Sequence, residues 1–289
     1  MLLITGGSGF VGQNLARYFG PRRQTVTTYF THPPSASAER SIQLDIRDAN
    51  TVFSAFDRER PEVVIHAAGN KNLKLCEDNP DEAYRVNAAG TQNVARACRR
   101  VGARLIYVST DLVFSCTEGN YKEDALPEPT SAYGRSKLLG ERFALEELDH
   151  VAVCRSGGIY GKGSPLLKWF AGEMEARRTV DCFIDIFNTP TYVVNLGEMM
   201  ETILERELVG VFHTVGRERV SRFEFFRTYA ETLGLDVSLL APVSFNSLKD
   251  ALLLRPDSSL SIEETAGKLR MTFNSVIEGF TRLQVYGGV

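Results

Sequence analysis

Short apolar runs alternate along this chain with longer stretches in which apolar residues recur every three or four positions. The short, β-branched runs predict buried strands over residues 2–5, 25–30, 63–67, 105–109 and 151–154. The longer stretches predict helices over residues 10–19, 51–58, 81–100 and 132–147. Because strand and helix repeat in turn, the pattern predicts an α/β fold with a doubly wound parallel sheet.

The alternation weakens after Tyr160, where glycines and Pro165 cluster. Such a cluster predicts that the chain leaves the sheet. We therefore predict a first domain over residues 1–156 and a smaller α/β domain over residues 157–289, with the chain returning to the first domain around residues 188–212. Helices are expected over residues 196–205, 223–233 and 273–283.

The amino-acid composition limits the classes of function that this protein is expected to have. The 289 residues are 43% hydrophobic and carry a formal charge of −3, with no basic run, so nucleic acid is not an expected partner. The five cysteines are widely spaced and odd in number, which favours reduced, mostly buried thiols over a disulfide framework or a metal site. No stretch has the ~20 apolar residues of a membrane span, and we expect a cytoplasmic protein.

A glycine-rich turn follows the first predicted strand and precedes the first predicted helix: it reads T-G-G-S-G-F-V-G from Thr5 to Gly12. This setting is typical of a dinucleotide-binding Rossmann-type fold, because glycine lets the backbone approach a pyrophosphate and the helix N-terminus offers free N–H groups. The motif predicts a set of cofactor-binding residues: Gly6, Ser8, Gly9, Phe10, Val11 and Gly12.

The second strand bears on the choice of nicotinamide cofactor. An NAD site favours an acidic residue at the end of this strand, and residues 25–38 contain none. Thr31 and His32 offer hydrogen-bond donors to a 2′-phosphate instead. No arginine lies at the strand end, since Arg23 precedes it and Arg40 comes well after it. The sequence favours NADP(H) over NAD(H), with NAD(H) left open.

A tyrosine and a lysine lie four residues apart in the helix predicted over residues 132–147. Tyr133 and Lys137 therefore share one helix face. A neighbouring ammonium is expected to lower the pKa of the phenol, which would make Tyr133 a proton donor to a carbonyl that receives hydride. The preceding strand ends in Ser109-Thr110-Asp111, which places hydroxyls at the sheet edge where ligands bind.

Taken together, these motifs resemble the extended short-chain dehydrogenase/reductase family over essentially the whole chain. Besides the glycine turn and the Tyr133–Lys137 pair, the similar stretches are L-D-I at 44–46, H-A-A at 66–68 and N-A-A-G-T at 87–91. Within this family the chain is most similar to the dTDP-4-dehydrorhamnose reductases, through S-T-D-L-V-F at 109–114, T-P-T-Y at 189–192 and R-P-D-S-S-L at 255–260.

The resemblance implies an NAD(P)H-dependent reductase of a nucleotide-linked 4-keto-6-deoxy sugar. It implies Thr110, Tyr133 and Lys137 as the catalytic residues and residues 157–289 as mainly a substrate-binding domain. Asp111 and Arg255 are expected to contact the nucleotide-sugar substrate, and a homodimer is left open. Further cofactor-binding residues are implied at several strand ends: Asp45, Ile46, Ala67, Ala68, Gly69, Asn87 and Ser109.

Some segments depart from the reductase pattern. Leu112 stands where those enzymes usually have tyrosine, and residues 70–74 and 160–188 are unusual. These segments shape the substrate pocket, so they put the identity of the sugar in doubt.

Two other function classes are weighed against the reductase. An NAD-dependent sugar epimerase or dehydratase is disfavoured, because a dehydratase needs a carboxylic base where Leu112 stands. A non-catalytic NADP-binding regulator, similar to the β subunit of methionine adenosyltransferase, stays open. The presence of Thr110, Tyr133 and Lys137 together favours an enzyme over a non-catalytic regulator.

Overall fold

The computed structural model describes residues 1–34, 40–245 and 255–287. The described strands are β1 (Leu2–Thr5), β2 (Thr25–Tyr29), β3 (Arg40–Gln43), β4 (Val63–His66), β5 (Arg104–Thr110), β6 (Val151–Tyr160), β7 (Val180–Phe183), β8 (Phe187–Asn188), β9 (Pro190–Tyr192), β10 (Gly210–His213), β11 (Val220–Ser221) and β12 (Leu240–Val243).

The described α-helices are α1 (Phe10–Phe19), α2 (Ala49–Glu59), α3 (Leu73–Asp78), α4 (Pro80–Tyr84), α5 (Gly90–Val101), α6 (Ala132–Glu147), α7 (Pro165–Glu175), α8 (Val193–Glu205), α9 (Arg222–Leu233), α10 (Glu263–Leu269) and α11 (Val276–Gly287). A π-helical turn, Arg85–Ala89, joins α4 to α5, and short 3₁₀ turns cover Asp111–Val113 and Val237–Leu239.

The main sheet confirms the predicted Rossmann-type α/β fold. Its strand order is β10-β6-β5-β4-β1-β2-β3, and the β1–β2, β2–β3, β1–β4 and β4–β5 pairs are parallel. The order reverses at β1, which neighbours both β2 and β4. In open α/β sheets, ligands bind at the carboxyl ends of the strands beside such a reversal. The glycine turn after β1 therefore lies at the expected binding crevice.

The chain divides into two compact units. The first contains residues 1–114, 126–155 and 197–212, and the second contains residues 115–125, 156–196 and 213–289. Buried apolar side chains of the sheet and of α2 and α5 form the core of the first unit. Among them Leu3, Val64 and Phe56 are fully buried. Aromatic rings dominate the core of the second unit, where Phe170 and Phe226 stack at 4.3 Å.

Local side-chain bonds explain several helix ends. Ser131 begins α6 by accepting a 3.0 Å hydrogen bond from the backbone N–H of Gly134. Ser275 and Glu278 form reciprocal bonds with each other's backbone N–H groups. This capping box starts α11 at Val276, three residues after the predicted start at 273.

Some element predictions were wrong. The glycines at 157 and 158 do not end β6, because Gly158 adopts a φ of +50° and β9 pairs alongside β6 at Gly157 and Tyr160. The helix predicted over 81–100 contains the π-helical turn, and α3 and α7 were not predicted. Among the described residues, no helix combines the length and the apolar character that crossing a bilayer requires.

Candidate active site

The glycine-rich turn between β1 and α1 is closely packed on all sides but one. Gly6 has a φ of +71°, and a Cβ atom there would lie 2.7 Å from the Cα atom of Ala68. A Cβ atom at Gly12 would overlap the carbonyl oxygen of Gly6. At Gly9 the nearest atom would be 3.3 Å away. Gly9 is the exposed N-cap of α1, and no side chain caps this helix. The turn thus presents backbone N–H groups and an open side to a ligand.

That open side faces a cleft of about 330 Å³ in the first unit. Eight of the predicted cofactor-binding residues line it: Gly6, Ser8, Gly9, Asp45, Ile46, Ala67, Ala68 and Gly69. They come from three strand ends that are far apart in sequence, which the parallel sheet brings together. The cleft fits a dinucleotide. It combines an uncapped helix N-terminus with glycines at positions where a side chain would occupy the space that a ligand needs.

The remaining predicted cofactor residues lie outside the lining of this cleft. Phe10 and Val11 form the first turn of α1, and Gly12 is buried against Gly6. Thr31 and His32 are exposed directly after β2, while the preceding Phe30 lines the cleft. Their contacts with a cofactor stay predictions.

Asn87 lies in the π-helical turn and is bound by the protein itself. Its side-chain amide donates to the carbonyl oxygen of Asn70 at 2.9 Å and to the hydroxyl of Ser136 at 3.0 Å. Its Oδ1 atom accepts a 2.7 Å bond from the backbone N–H of Asn70. Asn87 thereby fixes the segment after Gly69 against α6.

A buried hydrogen-bond chain connects β1 to the same turn. Thr5 accepts a bond from the backbone N–H of Ala68 at 3.2 Å, and its hydroxyl forms a 2.6 Å bond with Nδ1 of His66. The Nε2–H group of His66 then donates to Thr91 at 3.1 Å, and Thr91 donates to the carbonyl oxygen of Asn87 at 2.7 Å. Burial lowers the pKa of His66 to about 3, so the ring is neutral.

The three predicted catalytic residues come from the end of β5 and from α6. The hydroxyl of Thr110 lies near the phenol of Tyr133 and lowers its pKa. Lys137 is buried, and its Nζ atom donates a 2.7 Å bond to the carbonyl oxygen of Val108. The same ammonium lies 4.0 Å from the ring centroid of Tyr107. The sheet edge and one helix face thus bring a hydroxyl, a phenol and an amine into one region.

The electrostatics of this region differ from the expectation that Lys137 lowers the pKa of Tyr133. Burial, reinforced by the Asp111 carboxylate, raises the pKa of Tyr133, and only the nearby Thr110 hydroxyl lowers it. Burial also lowers the pKa of Lys137 to about 7, against the opposing charge of Glu141. The expected lowering was wrong because both side chains are withdrawn from water. The phenol is therefore protonated at neutral pH, as a proton donor must be.

The side chain of Ser109 is hydrogen-bonded to a buried ion pair. Its hydroxyl donates a 2.5 Å bond to Glu141, and the guanidinium of Arg155 donates to the same carboxylate at 2.8 Å. The Arg155 and Glu141 side chains are 5% and 2% exposed, so the pair is desolvated. Sequence reasoning missed both residues, although Glu141 follows Lys137 by one further helical turn.

The two predicted substrate residues belong to different units. Asp111 is buried and accepts a 2.9 Å bond from the hydroxyl of Thr110. Arg255 is half-buried in the second unit, directly after residues 246–254, which are not described. Their substrate contacts stay predictions.

Sequence reasoning also missed Arg47. Arg40 is the first arginine after β2, but it is Arg47 that lines the cleft. Its guanidinium lies over the ring of Phe30, 4.8 Å from the ring centroid. The signal was present, since a basic residue comes two positions after Asp45, itself a predicted cofactor residue.

The fold and the site are those of an extended short-chain dehydrogenase/reductase. Residues 1–281 match the family described as RmlD substrate binding domain, and the chain belongs to this family.

Three similarities bear on function. The chain is 34% identical over 253 residues to the dTDP-4-dehydrorhamnose reductase of Mycobacterium tuberculosis, covering 84% of this chain and 79% of the relative. It is 29% identical over 252 residues to methionine adenosyltransferase 2 subunit beta of Xenopus tropicalis, covering 84% and 75%. The structure of the Bacillus anthracis dTDP-4-dehydrorhamnose reductase in complex with NADP superposes with a TM-score of 0.88, at 28% identity and 98% coverage of both chains.

Proposed function

We propose that this chain, an NAD(P)H-dependent oxidoreductase of the RmlD family, reduces the ketone of a nucleotide-linked 4-keto-6-deoxy sugar. The observation that carries the proposal is the position of Thr110 at the end of β5 near the phenol of Tyr133, with Lys137 one turn further along α6. The similarity to dTDP-4-dehydrorhamnose reductases over most of the chain supports the substrate class.

The cleft supports a nicotinamide dinucleotide. Its glycine turn would hold the pyrophosphate against the uncapped N-terminus of α1, and Asp45 and Ile46 would contact the adenine. A bound nicotinamide supplies hydride, which the side chains of this protein cannot supply. We favour NADP(H) over NAD(H), because the described part of the stretch after β2 carries no carboxylate for the ribose hydroxyls.

The side chains supply the proton and hold the reacting oxygen. Tyr133 keeps its proton at neutral pH because burial raises its pKa, and it would release that proton to the ketone oxygen as hydride reaches the carbon. Thr110 would hold the same oxygen through its hydroxyl. Lys137 would bind ribose hydroxyls of the dinucleotide and so position its nicotinamide beside the ketone. Asp111 and Arg255 are proposed to contact the sugar nucleotide.

A regulatory role is the second candidate. The 29% identity to methionine adenosyltransferase 2 subunit beta favours it, because that protein is named as a subunit and not as a reductase. The two functions differ in one measurable property. A reductase consumes NADPH when a keto sugar is added, whereas a binding subunit does not.

The experiment is to incubate the purified protein with NADPH and a panel of nucleotide 4-keto-6-deoxy sugars while following the absorbance of the reduced nicotinamide. Loss of absorbance with one sugar supports the reductase and identifies the substrate. NADPH that binds in calorimetry but is never oxidised supports the regulatory role. Size-exclusion chromatography of the same sample tests the expectation of a homodimer.

A further inference from the structure

The end of β2 is where a Rossmann-type site distinguishes NADPH from NADH. The ribose 2′ position lies beside this strand end, where a carboxylate favours the hydroxyl of NADH and an arginine favours the phosphate of NADPH. Phe30 follows β2 directly, lines the cleft and is half-exposed. The groups that surround Phe30 are therefore placed to contact the 2′ substituent of the ribose and to distinguish a phosphate from a hydroxyl.

Arg47 lies at this strand end although the loop after β3 supplies it. Its guanidinium lies 4.8 Å from the ring centroid of Phe30. Its Nε and Nη2 atoms donate to the Asp45 carboxylate at 2.9 and 2.7 Å, and its Nη1 atom donates to Glu82 at 2.5 Å. One ring and two carboxylates from separate elements hold the guanidinium in a fixed orientation.

Arg47 retains donors for a further anion. A guanidinium carries five N–H groups, of which these contacts engage one on each nitrogen. Toward the residues that the structure describes, one N–H therefore remains on Nη1 and one on Nη2. Two N–H groups on a rigid fork match two oxygens of a phosphate.

The two carboxylates that hold Arg47 oppose such an anion. Asp45 and Glu82 each contribute a negative charge within hydrogen-bond distance of Arg47, and the exposed Arg85 offsets Glu82 only in part, from 3.3 Å. A phosphate monoester carries between one and two negative charges at neutral pH. Only NADPH has this group, so a carboxylate here weakens the binding of NADPH and leaves NADH almost unaffected.

We propose that Arg47 binds the 2′-phosphate of NADPH and that Glu82, by engaging Nη1 of Arg47, limits the preference for NADPH over NADH. The inference rests on the proposed function, since it takes the cleft as the dinucleotide site. It goes further by naming the residues that set the cofactor preference. Asp45 is expected at the adenine, whereas Glu82 forms ion pairs only with Arg47 and the exposed Arg85 among the described residues.

The test compares dissociation constants for NADH and NADPH by titration calorimetry, in the wild-type protein and in the Glu82→Gln, Arg47→Ala and Asp81→Asn variants. Asp81 precedes Glu82 in α4, is exposed and lies outside the cleft, so Asp81→Asn removes an equal charge without touching Arg47. We expect Glu82→Gln to tighten NADPH about fivefold, with NADH changed less than about twofold. Arg47→Ala should weaken NADPH about tenfold and NADH much less, and Asp81→Asn should change neither.

Two results overturn the inference alone. The first is a Glu82→Gln variant whose NADPH-to-NADH ratio equals that of the wild type or of Asp81→Asn. The second is an Arg47→Ala variant that binds NADPH as tightly as the wild type. A folded wild-type protein that binds neither dinucleotide overturns the proposed function and this inference with it, so the two failures are distinguishable.

Discussion

The Nζ atom of Lys137 donates a 2.7 Å hydrogen bond to the carbonyl oxygen of Val108, so the amine of α6 is tied to the backbone of β5. Val108 precedes Thr110 by two residues along β5, and Lys137 follows Tyr133 by four residues along α6. The bond therefore holds the amine close to both predicted catalytic residues. The lysine is thus fixed before any ligand binds, and burial lowers its pKa to about 7.

Replacing Lys137 with methionine should reduce turnover and NADPH affinity together, because the amine that binds the ribose also positions the nicotinamide for hydride transfer. We expect about a tenfold loss or more in each. The matched control is Lys268→Met, which removes an exposed lysine of α10 outside the site. Steady-state kinetics and calorimetry measure the two losses. Unchanged NADPH affinity in Lys137→Met would remove the ribose role.

Tyr133→Phe should separate chemistry from binding. Phenylalanine keeps the packing against Cys76, Ala83 and Ala132 but removes the proton donor. Turnover should fall about 10²-fold or more while NADPH affinity barely changes. Tyr84→Phe removes an exposed phenol elsewhere in the first unit and should leave both values unchanged. Equal rates for Tyr133→Phe and the wild type would exclude Tyr133 as the acid.

Gly9→Val should abolish dinucleotide binding while the fold largely survives. A branched side chain would fill the open side of the turn, where the pyrophosphate is expected, and the nearest protein atom to a new Cβ lies 3.3 Å away. Gly9→Ala is the graded control, with a smaller loss of affinity. Calorimetry measures binding, and circular dichroism checks the fold. A folded Gly9→Val variant that binds NADPH normally would place the cofactor elsewhere.

The buried His66 predicts a pH dependence of stability. Its pKa is lowered from 6.5 to about 3, so the unfolded chain takes up a proton that the folded protein refuses. The stability contribution of the neutral ring is complete above pH 6.5 and is lost as the pH falls from 6.5 towards 3. The free energy of unfolding should fall by about 1 kcal/mol per pH unit in this range, beyond the effect of carboxylates.

His66→Gln should flatten that slope, since glutamine keeps polar atoms but does not titrate. His150→Gln, at an exposed histidine, should keep the slope of the wild type. Urea unfolding at several pH values between 7.5 and 4 measures both variants. Identical slopes for His66→Gln and the wild type would mean that His66 is not the titrating group.

The sequence predicted those parts of the fold that local patterns determine. The bounds of α1 and α6 agree with prediction, because their apolar spacing is regular and a strong turn or cap precedes each helix. The π-helical turn at Arg85–Ala89 was not predicted, because one residue inserted into a helix barely disturbs apolar spacing.

The candidate site divides in the same way. The glycine turn and the Tyr133–Lys137 pair are local motifs, so the sequence alone predicted them. Arg47 could not be placed beside Phe30 from sequence, because sixteen residues separate them and only the β2–β3 pairing brings them together. The raised pKa of Tyr133 depends on burial by distant segments, which spacing on one helix does not reveal.

The most direct test of the reductase assignment is a single-turnover reaction, with the protein in excess over NADPH and a nucleotide 4-keto-6-deoxy sugar added last. The account predicts that the nicotinamide absorbance is lost in one exponential phase, with one sugar reduced for each NADPH consumed. A protein that binds NADPH in calorimetry yet oxidises none of it with any keto sugar of the panel would contradict the assignment.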